Sequence, residues 1–276
     1  MNGPTGDTSN GATKKGLTSF DYIKITIFGL GLGALWNSLD SIVLQIRLLD
    51  LVAESQKNTF LGLLTFSGLI LAIVIQPIAG MISDRANFRW GRRRPFILIG
   101  TIAALPFIMG VGLATTFAAV FAIYLLLQIS TNVAQGPYQA FIPDMVPEEE
   151  RGRAAGWKSV LEIGGSVAVV LLVGQLMGQY YAGAGVSWFW LTLGVLAIVL
   201  LATMLATVLM VKERPGSGPV NLPTAASLWH GLQSGLKASI LPKLRQTFKI
   251  DFKGNPDFVY FLLSRLLFMM AFSSRS

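Results

Sequence analysis

The 276-residue chain contains no cysteine and one histidine, and only 13% of its residues are charged. Without cysteine there can be no disulfide framework, no thiol nucleophile and no thiolate metal site. His230 has no partner at the spacing of a metal ligand, so we expect no metal and no cofactor. Soluble domains carry about 25% charged residues. The shortage of charge therefore excludes an ordinary soluble domain.

In place of charge the chain carries apolar residues, at 53% of the total and a mean hydropathy of +0.59. Six runs are long enough to cross about 30 Å of hydrocarbon as helices of about 20 residues. They lie at residues 25–49, 60–82, 96–114, 117–141, 159–180 and 188–211. The run LGLLTFSGLILAIVIQPIAG lacks the apolar–polar alternation of a barrel strand. The sequence therefore predicts an all-α membrane protein built on a six-helix bundle.

Most of the 22 lysines and arginines flank these runs on one side. They lie before span 1, between spans 2 and 3, between spans 4 and 5, and after span 6. The positive-inside rule then predicts a cytoplasmic N-terminus. We expect a multi-pass protein of the plasma membrane. The net charge of +8 is thus a topology signal that suits anionic membrane lipids, and it requires no nucleic-acid partner.

The link between spans 2 and 3 includes SDRANFRWGRRRPF, with charges in a definite order. Asp84 stands at the C-terminal end of span 2, where a negative charge needs a nearby cation. Gly80 is predicted to let another helix approach closely. We predict a conformational switch made of breakable ion pairs, although the arginines could also serve only to keep the loop from crossing. Its residues are Gly80, Asp84, Arg85, Gly91, Arg92, Arg93, Arg94, Asp144, Arg151 and Arg153.

The order Gly80-x-x-x-Asp84-Arg85, then Gly91-Arg92-Arg93-Arg94-Pro95, resembles the loop signature of the major facilitator superfamily. The continuation Phe96-Ile97 and the block Gln135-Gly136-Pro137 resemble one branch of it, the plant sucrose–proton symporters and their bacterial and animal relatives. The resemblance implies two six-helix bundles with the substrate bound between them. This chain would then be the N-terminal half.

The resemblance also suggests a domain organisation. Residues 1–21 are expected to form a polar cytoplasmic tail, 22–212 the bundle, 213–256 a cytoplasmic loop between bundles, and 257–276 an incomplete seventh helix. The last apolar run, 258–272, would reach only about 22 Å at 1.5 Å per residue. We therefore expect a truncated chain that lacks its C-terminal six-helix half. The alternatives are a non-transporting receptor or scaffold, or an inactive fragment. An enzyme is not expected, because the spans hold no paired catalytic residues.

Span 4 carries Gln128, Thr131, Asn132 and Gln135 at i, i+3, i+4 and i+7, which is one helical face. Amides both donate and accept hydrogen bonds, as the hydroxyls of a sugar-like polar solute require. Together with Asn37 of span 1, these residues are the predicted substrate site. The alternative is that the amides join neighbouring helices.

Asp40 in span 1 and Glu162 in span 5 are the acidic residues inside the spans. An intramembrane carboxylate is a candidate functional group. We predict that one or both couple H+ or Na+ to transport, in a sugar:cation symporter working by alternating access. Asp40 could instead pair with Arg47, and Glu162 with Lys158 one turn earlier.

The resemblance places Gln128 at the position of the aspartate that takes the proton in sucrose symporters, and Gln139 at that of an arginine. A glutamine does not titrate. The coupling role would therefore pass to Asp40, to Glu162 or to a residue of the missing half.

Overall fold

A computed structural model describes residues 17–86, 88, 90–213 and 264. Within these residues all regular structure is helical, and six spans are long and apolar enough to cross a membrane. This confirms the predicted all-α fold of an integral, multi-pass membrane protein. The predicted loop beyond Glu213 and the predicted seventh helix lie outside the described residues, apart from Ser264.

The first three spans are Ser19–Leu49, Glu54–Arg85 and Arg94–Leu113. Span 1 consists of an α-helix Ser19–Ser38, a π-helical segment Leu39–Val43 and an α-helix Leu44–Leu49. Span 2 opens with a 3-10 turn, Glu54–Gln56, and continues as the α-helix Lys57–Arg85. Span 1 begins six residues before the predicted residue 25. Its first turn is polar and is capped by a hydrogen bond from the Thr18 amide to Asp21 Oδ2 at 3.1 Å. Hydropathy does not detect such a turn.

The last three spans are Phe117–Met145, Glu148–Tyr181 and Ser187–Met210. Span 4 consists of Phe117–Gln139 and a short helix Phe141–Met145. Span 5 runs through Glu148–Glu150, Arg151–Ser159, the π-helical segment Val160–Gly165 and Ser166–Tyr181. Its helix begins well before the predicted residue 159, because the stretch RGRAAGWKS is helical although it is polar.

The spans pack as two groups of three. Span 1 packs on spans 5 and 6, and span 4 packs on spans 2 and 3. The groups meet where span 3 contacts span 6 and where the end of span 1 contacts span 2. Glycines allow the close crossings. A Cβ on Gly33 would lie 2.6 Å from the carbonyl oxygen of Glu162, and one on Gly100 would lie 2.7 Å from the backbone nitrogen of Ala134. The core includes the buried rings of Phe28, Tyr124 and Phe189.

Candidate functional site

Asp40 is half-buried in the π-helical segment of span 1. The Tyr124 hydroxyl of span 4 donates to its Oδ1 at 3.4 Å. Arg47 pairs instead with Asp50, at 3.1 Å between Nη1 and Oδ2. The alternative of an Asp40–Arg47 ion pair is therefore wrong. Among the residues described, no cationic side chain forms a salt bridge with Asp40.

From Tyr124 a continuous series of side-chain hydrogen bonds runs along span 4 and into span 2. Gln128 Nε2 donates to Tyr124 Oη at 3.1 Å, and Asn132 Nδ2 donates to Gln128 Oε1 at 2.9 Å. Gln76 Nε2 of span 2 donates to Asn132 Oδ1 at 2.6 Å, and Gln139 Nε2 donates to Gln76 Oε1 at 3.4 Å. We call this series the polar chain; its members are Asp40, Tyr124, Gln128, Asn132, Gln76 and Gln139.

The span 4 residues predicted to bind substrate are placed differently from one another. Gln128 and Asn132 lie together in the polar chain, 9% and 2% exposed. Thr131 is 1% exposed, and its hydroxyl donates to carbonyl oxygens of its own helix, those of Leu127 and Gln128. Thr131 therefore presents no group to a solute in this conformation. Gln135 is half-buried and lies outside the polar chain. Because the Gln76–Asn132 bond joins spans 2 and 4, the amides also link helices.

Both candidate coupling acids lie in π-helical segments, Asp40 in Leu39–Val43 and Glu162 in Val160–Gly165. Such segments are frequent at functional sites. The exposed Asn37, just before the first segment, donates to Ser166 Oγ at 3.2 Å, just after the second. This bond holds the two irregular segments against each other.

Glu162 has a cationic neighbour on its own helix. Its Oε2 lies 4.0 Å from Lys158 Nζ, and its side chain is 39% exposed. The predicted Lys158–Glu162 pair is therefore present at the distance limit of a salt bridge, where an exposed pair contributes about 0–1 kcal/mol. Glu162 is not a member of the polar chain.

A cleft of about 440 Å³ lies between spans 2 and 4 at the far end of the polar chain. Gln76 and Gln139 supply its amides, Gly80 and Gly136 a wall of small residues, and Ile73 an apolar side chain. Small-molecule sites usually measure about 300–1,000 Å³. The cleft is thus large enough for a small polar solute.

The charged residues between spans 2 and 3 form a cluster around Arg93, which is 4% exposed. Its Nη2 lies 2.7 Å from Asp84 Oδ1 and its Nε 2.5 Å from Asp144 Oδ2. Arg92 Nη2 lies 2.9 Å from the same Asp144 oxygen, and Arg93 Nη1 donates to Ser83 Oγ at 3.2 Å. The cluster joins the end of span 2, the start of span 3 and the end of span 4.

A family model described as MFS/sugar transport protein matches residues 34–239. The chain belongs to this family. Its members are transporters rather than enzymes.

Several named proteins are similar to this MFS chain. The general alpha-glucoside permease of Schizosaccharomyces pombe is 29% identical over 180 residues, 58% of this chain and 30% of that protein. The sucrose transport protein SUC4 of Arabidopsis thaliana is 27% identical over 219 residues, 68% of this chain and 41% of that protein. The human solute carrier family 45 member 4 is 29% identical over 150 residues, 47% of this chain and 18% of that protein. The matched region spans less than half the length of each relative.

Two arginines predicted to join the cluster of this MFS protein lie elsewhere. Arg151 donates to the carbonyl oxygens of Pro143 at 3.0 Å and Val146 at 3.3 Å, so it caps the end of span 4. Arg153 lies beside the hydroxyl of Tyr22. Their predicted pairing with the cluster is therefore wrong in this conformation, because the Arg151 guanidinium bonds carbonyl oxygens and Arg153 lies beside a hydroxyl.

The two remaining arginines also lie outside the ion pairs of the cluster. Arg94 donates to the Trp90 carbonyl oxygen at 3.1 Å and to that of Val208, which ties span 3 to span 6. Arg85 is exposed at the last residue of span 2.

The close contact between spans 2 and 4 depends on Gly136 rather than on Gly80. A Cβ on Gly136 would lie 2.5 Å from the Gln76 carbonyl oxygen and 3.2 Å from the Gly80 nitrogen. A Cβ on Gly80 would have no heavy atom within 4 Å. The interpretation of Gly80 as the close-approach glycine is therefore wrong for this conformation.

Glu213 is a site residue that sequence reasoning missed. Its Oε2 accepts from the Arg93 amide at 3.0 Å, at the start of span 3. Burial raises the pKa of Glu213, and the Arg93 and Arg94 amides oppose this shift. The sequence around Glu213 shows only an acid directly after the basic Lys212. Its partner Arg93 lies 120 residues away, so the local sequence does not indicate the contact.

Tyr124 and Gln76 were missed as well. Tyr124 lies one turn before Gln128, so its position on the same helical face was a usable signal. Gln76 is a lone amide in an apolar span, directly before Pro77.

Proposed function

We propose that this chain forms the N-terminal bundle of a sugar transporter that couples its solute to H+ or Na+ by alternating access. The observation that carries the proposal is the polar chain, which connects a span carboxylate, Asp40, to amides of spans 2 and 4. Similarity to proteins named for alpha-glucosides and sucrose supports a sugar as the solute. A C-terminal six-helix half would complete the site.

Asp40 is the better of the two candidate cation sites. It has no salt bridge within the described residues, so its negative charge is available to a proton or metal cation. An unpaired carboxylate is costly inside a membrane, and cation binding removes that cost. Glu162 already has Lys158 at 4.0 Å, and its side chain is 39% exposed.

The Arg93 cluster acts in this proposal as the switch. It fastens spans 2, 3 and 4 at one end of the bundle through two carboxylates. Alternating access requires that end to open and close, and partly exposed ion pairs can break at modest cost. Asp84, at 53% exposed, is the partner that separates first.

The charge distribution supports an orientation with the cluster and the N-terminus in the cytoplasm. Because the chain lacks cysteine, single introduced thiols can report sidedness. The exposed Gly152 and Ser55 lie at opposite ends of the bundle. We expect an impermeant thiol reagent to label Ser55→Cys from outside the cell and Gly152→Cys only after permeabilisation. The reverse pattern would overturn the orientation.

Transport is tested with the full-length protein in proteoliposomes, with labelled sucrose and maltose and an imposed H+ or Na+ gradient. The wild type should accumulate at least one sugar against its gradient. Asp40→Asn should abolish accumulation but retain sugar exchange, since exchange needs no net cation movement. The control is Asp50→Asn, which alters an exposed carboxylate directly after the end of span 1.

If Asp40→Asn still accumulates sugar, Asp40 is structural and the coupling site lies elsewhere. Absence of uptake of either sugar by the wild type would instead favour the non-transporting alternative.

A further inference from the structure

Every hydrogen bond of the polar chain points in the same direction. Gln139 donates to Gln76, each amide donates to the next, and the Tyr124 hydroxyl donates to Asp40 at the end. Each amide accepts on its oxygen and donates from its nitrogen, so one bond cannot reverse alone. Hydrogen bonds in series polarise one another. The charge on Asp40 therefore acts on the whole series.

The middle of the polar chain and its end in the cleft differ in the hydrogen-bonding groups that they leave free for a ligand. Asn132, in the middle, is 2% exposed, and both its N–H groups are used, on Gln128 O at 2.6 Å and on Gln128 Oε1 at 2.9 Å. Gln139 is exposed in the 440 Å³ cleft and makes one weak bond, at 3.4 Å, to Gln76. Its carbonyl oxygen and second N–H are free of protein partners among the described residues. The group fitted to bind a hydroxyl is thus Gln139, with Gln76 behind it.

Span 2 leaves room for the polar chain through a glycine. A Cβ on Gly68 would lie 2.5 Å from Gln128 Nε2 and 3.0 Å from Tyr124 Cε1. The absence of a side chain there lets Tyr124 and Gln128 lie against the span 2 backbone. The position of the Tyr124 ring is also fixed by an edge-on contact with Trp36, with 5.8 Å between ring centroids.

The charged groups of the neighbouring segments are already engaged. On span 1, Arg47 pairs with Asp50. On span 5, which packs against span 1, Glu162 lies near Lys158. On span 4, the group that meets Asp40 is the neutral Tyr124 hydroxyl. Within the described residues, the Tyr124 hydroxyl therefore connects the Asp40 carboxylate to the amides by hydrogen bonds.

We propose that the Gln76–Gln139 cleft binds a sugar hydroxyl and that the polar chain couples this binding to cation loading at Asp40, with Tyr124 as the positioning residue. The inference rests on the proposed function. Neutralising Asp40 weakens the hydrogen bond that the Tyr124 hydroxyl donates to it. Because the bonds are in series, the bond from Gln139 to Gln76 is weakened as well. The Gln139 amide then turns to a sugar hydroxyl, so cation loading raises sugar affinity.

The test of coupling is Tyr124→Phe, which keeps the ring and its contact with Trp36 but removes the hydroxyl. Binding of sucrose and maltose to the full-length protein is measured at low and high pH, and with and without Na+. The wild type should bind one of these sugars about 5-fold or more tightly in the cation-loaded condition, the lower range of measured coupling. In Tyr124→Phe this difference should fall below about 2-fold. Tyr181→Phe, which removes an exposed hydroxyl, should behave as wild type.

The test of the cleft is Gln139→Ala. A hydrogen bond lost to a bound hydroxyl should weaken sugar binding in the cation-loaded protein by about 5- to 100-fold. The control is Gln179→Ala, which removes an exposed amide of span 5. Unchanged thermal unfolding of each variant excludes loss of fold as the cause.

The outcomes separate the two levels of the proposal. A wild type that binds neither sugar contradicts the proposed function itself. A coupled wild type whose Tyr124→Phe variant keeps the full affinity difference overturns the coupling role of the polar chain. Unchanged affinity in Gln139→Ala overturns the cleft as a sugar site and favours a contact with another helix there.

Discussion

The Arg93 guanidinium lies 2.5 Å from the Asp144 carboxylate, across 51 residues of sequence. Because Arg93 is 4% exposed and Asp144 28% exposed, this ion pair is screened from water more than its neighbours. Asp84, the other carboxylate on Arg93, is 53% exposed. The two carboxylates are therefore unequal, and the inner one should contribute more to stability.

Asp144→Asn should destabilise the protein more than Asp84→Asn. The first leaves a buried guanidinium with a weaker acceptor and also releases Arg92, at a cost of about 1–3 kcal/mol. The second breaks an exposed pair, worth about 0–1 kcal/mol. Thermal unfolding of the purified variants measures the order, and equal or reversed losses would contradict it.

Gly91→Ala should be destabilising, whereas Gly80→Ala should not. Gly91 has φ of 110°, and a Cβ there would collide with the Glu213 carboxylate. A left-handed non-glycine residue costs about 1–2 kcal/mol before any collision. Gly80 lies inside the span 2 helix with open space at its Cβ, and alanine there is favoured by up to about 1 kcal/mol.

Thermal unfolding of both glycine variants tests this contrast. A Gly80→Ala variant that loses stability, or a Gly91→Ala variant that keeps it, would contradict the prediction.

The spans could be predicted from sequence because membrane insertion depends on apolar length, which is local. The Asp84–Arg93 pair could be predicted for a similar reason, as both residues stand at neighbouring span ends. What the sequence pattern could not provide is which residue covers a given helical face. Gln76 and Glu213 each meet partners far away in the chain, and their roles depend on how the helices pack.

The helical wheel of span 4 had a further limit. It placed Thr131 with the amides, but it could not show that the hydroxyl bonds its own helix. The π-helical segments around Asp40 and Glu162 also have no sequence signature, since they arise where packed helices accommodate an extra residue.

Arg47→Leu should destabilise the protein by about 1.5–3 kcal/mol, the range for hydrogen bonds to charged groups. Arg47 donates to the Ala114 carbonyl oxygen at 2.6 Å and to that of Gly112 at 3.4 Å, at the end of span 3. Its guanidinium also lies 5.5 Å from the Phe189 ring centre.

Asp50→Asn is the matched control for Arg47→Leu, because it removes the exposed partner and leaves these contacts in place. Thermal unfolding of both compares them. An Asp50→Asn loss as large as that of Arg47→Leu would place the stabilisation in the contacts of the Asp50 carboxylate with Arg47 and the Tyr180 hydroxyl, rather than in the span 3 carbonyl contacts.

Glu213 should make stability depend on pH in a direction opposite to that of an ordinary salt-bridged acid. Its pKa is raised from 4.5 by burial, so the folded protein holds this proton at a higher pH than the unfolded chain. Its contribution is therefore full below pH 4.5 and is lost as the pH rises through the raised folded pKa.

Glu213→Gln mimics the protonated acid, and its carbonyl oxygen can still accept from the Arg93 amide. The variant should match wild type below pH 4.5 and exceed its melting temperature increasingly toward neutral pH. Glu149→Gln, at an exposed acid, controls for loss of one negative charge and should show no such trend. A difference between Glu213→Gln and wild type that stays constant across this range would mean that Glu213 ionises in the folded protein as it does in the unfolded chain.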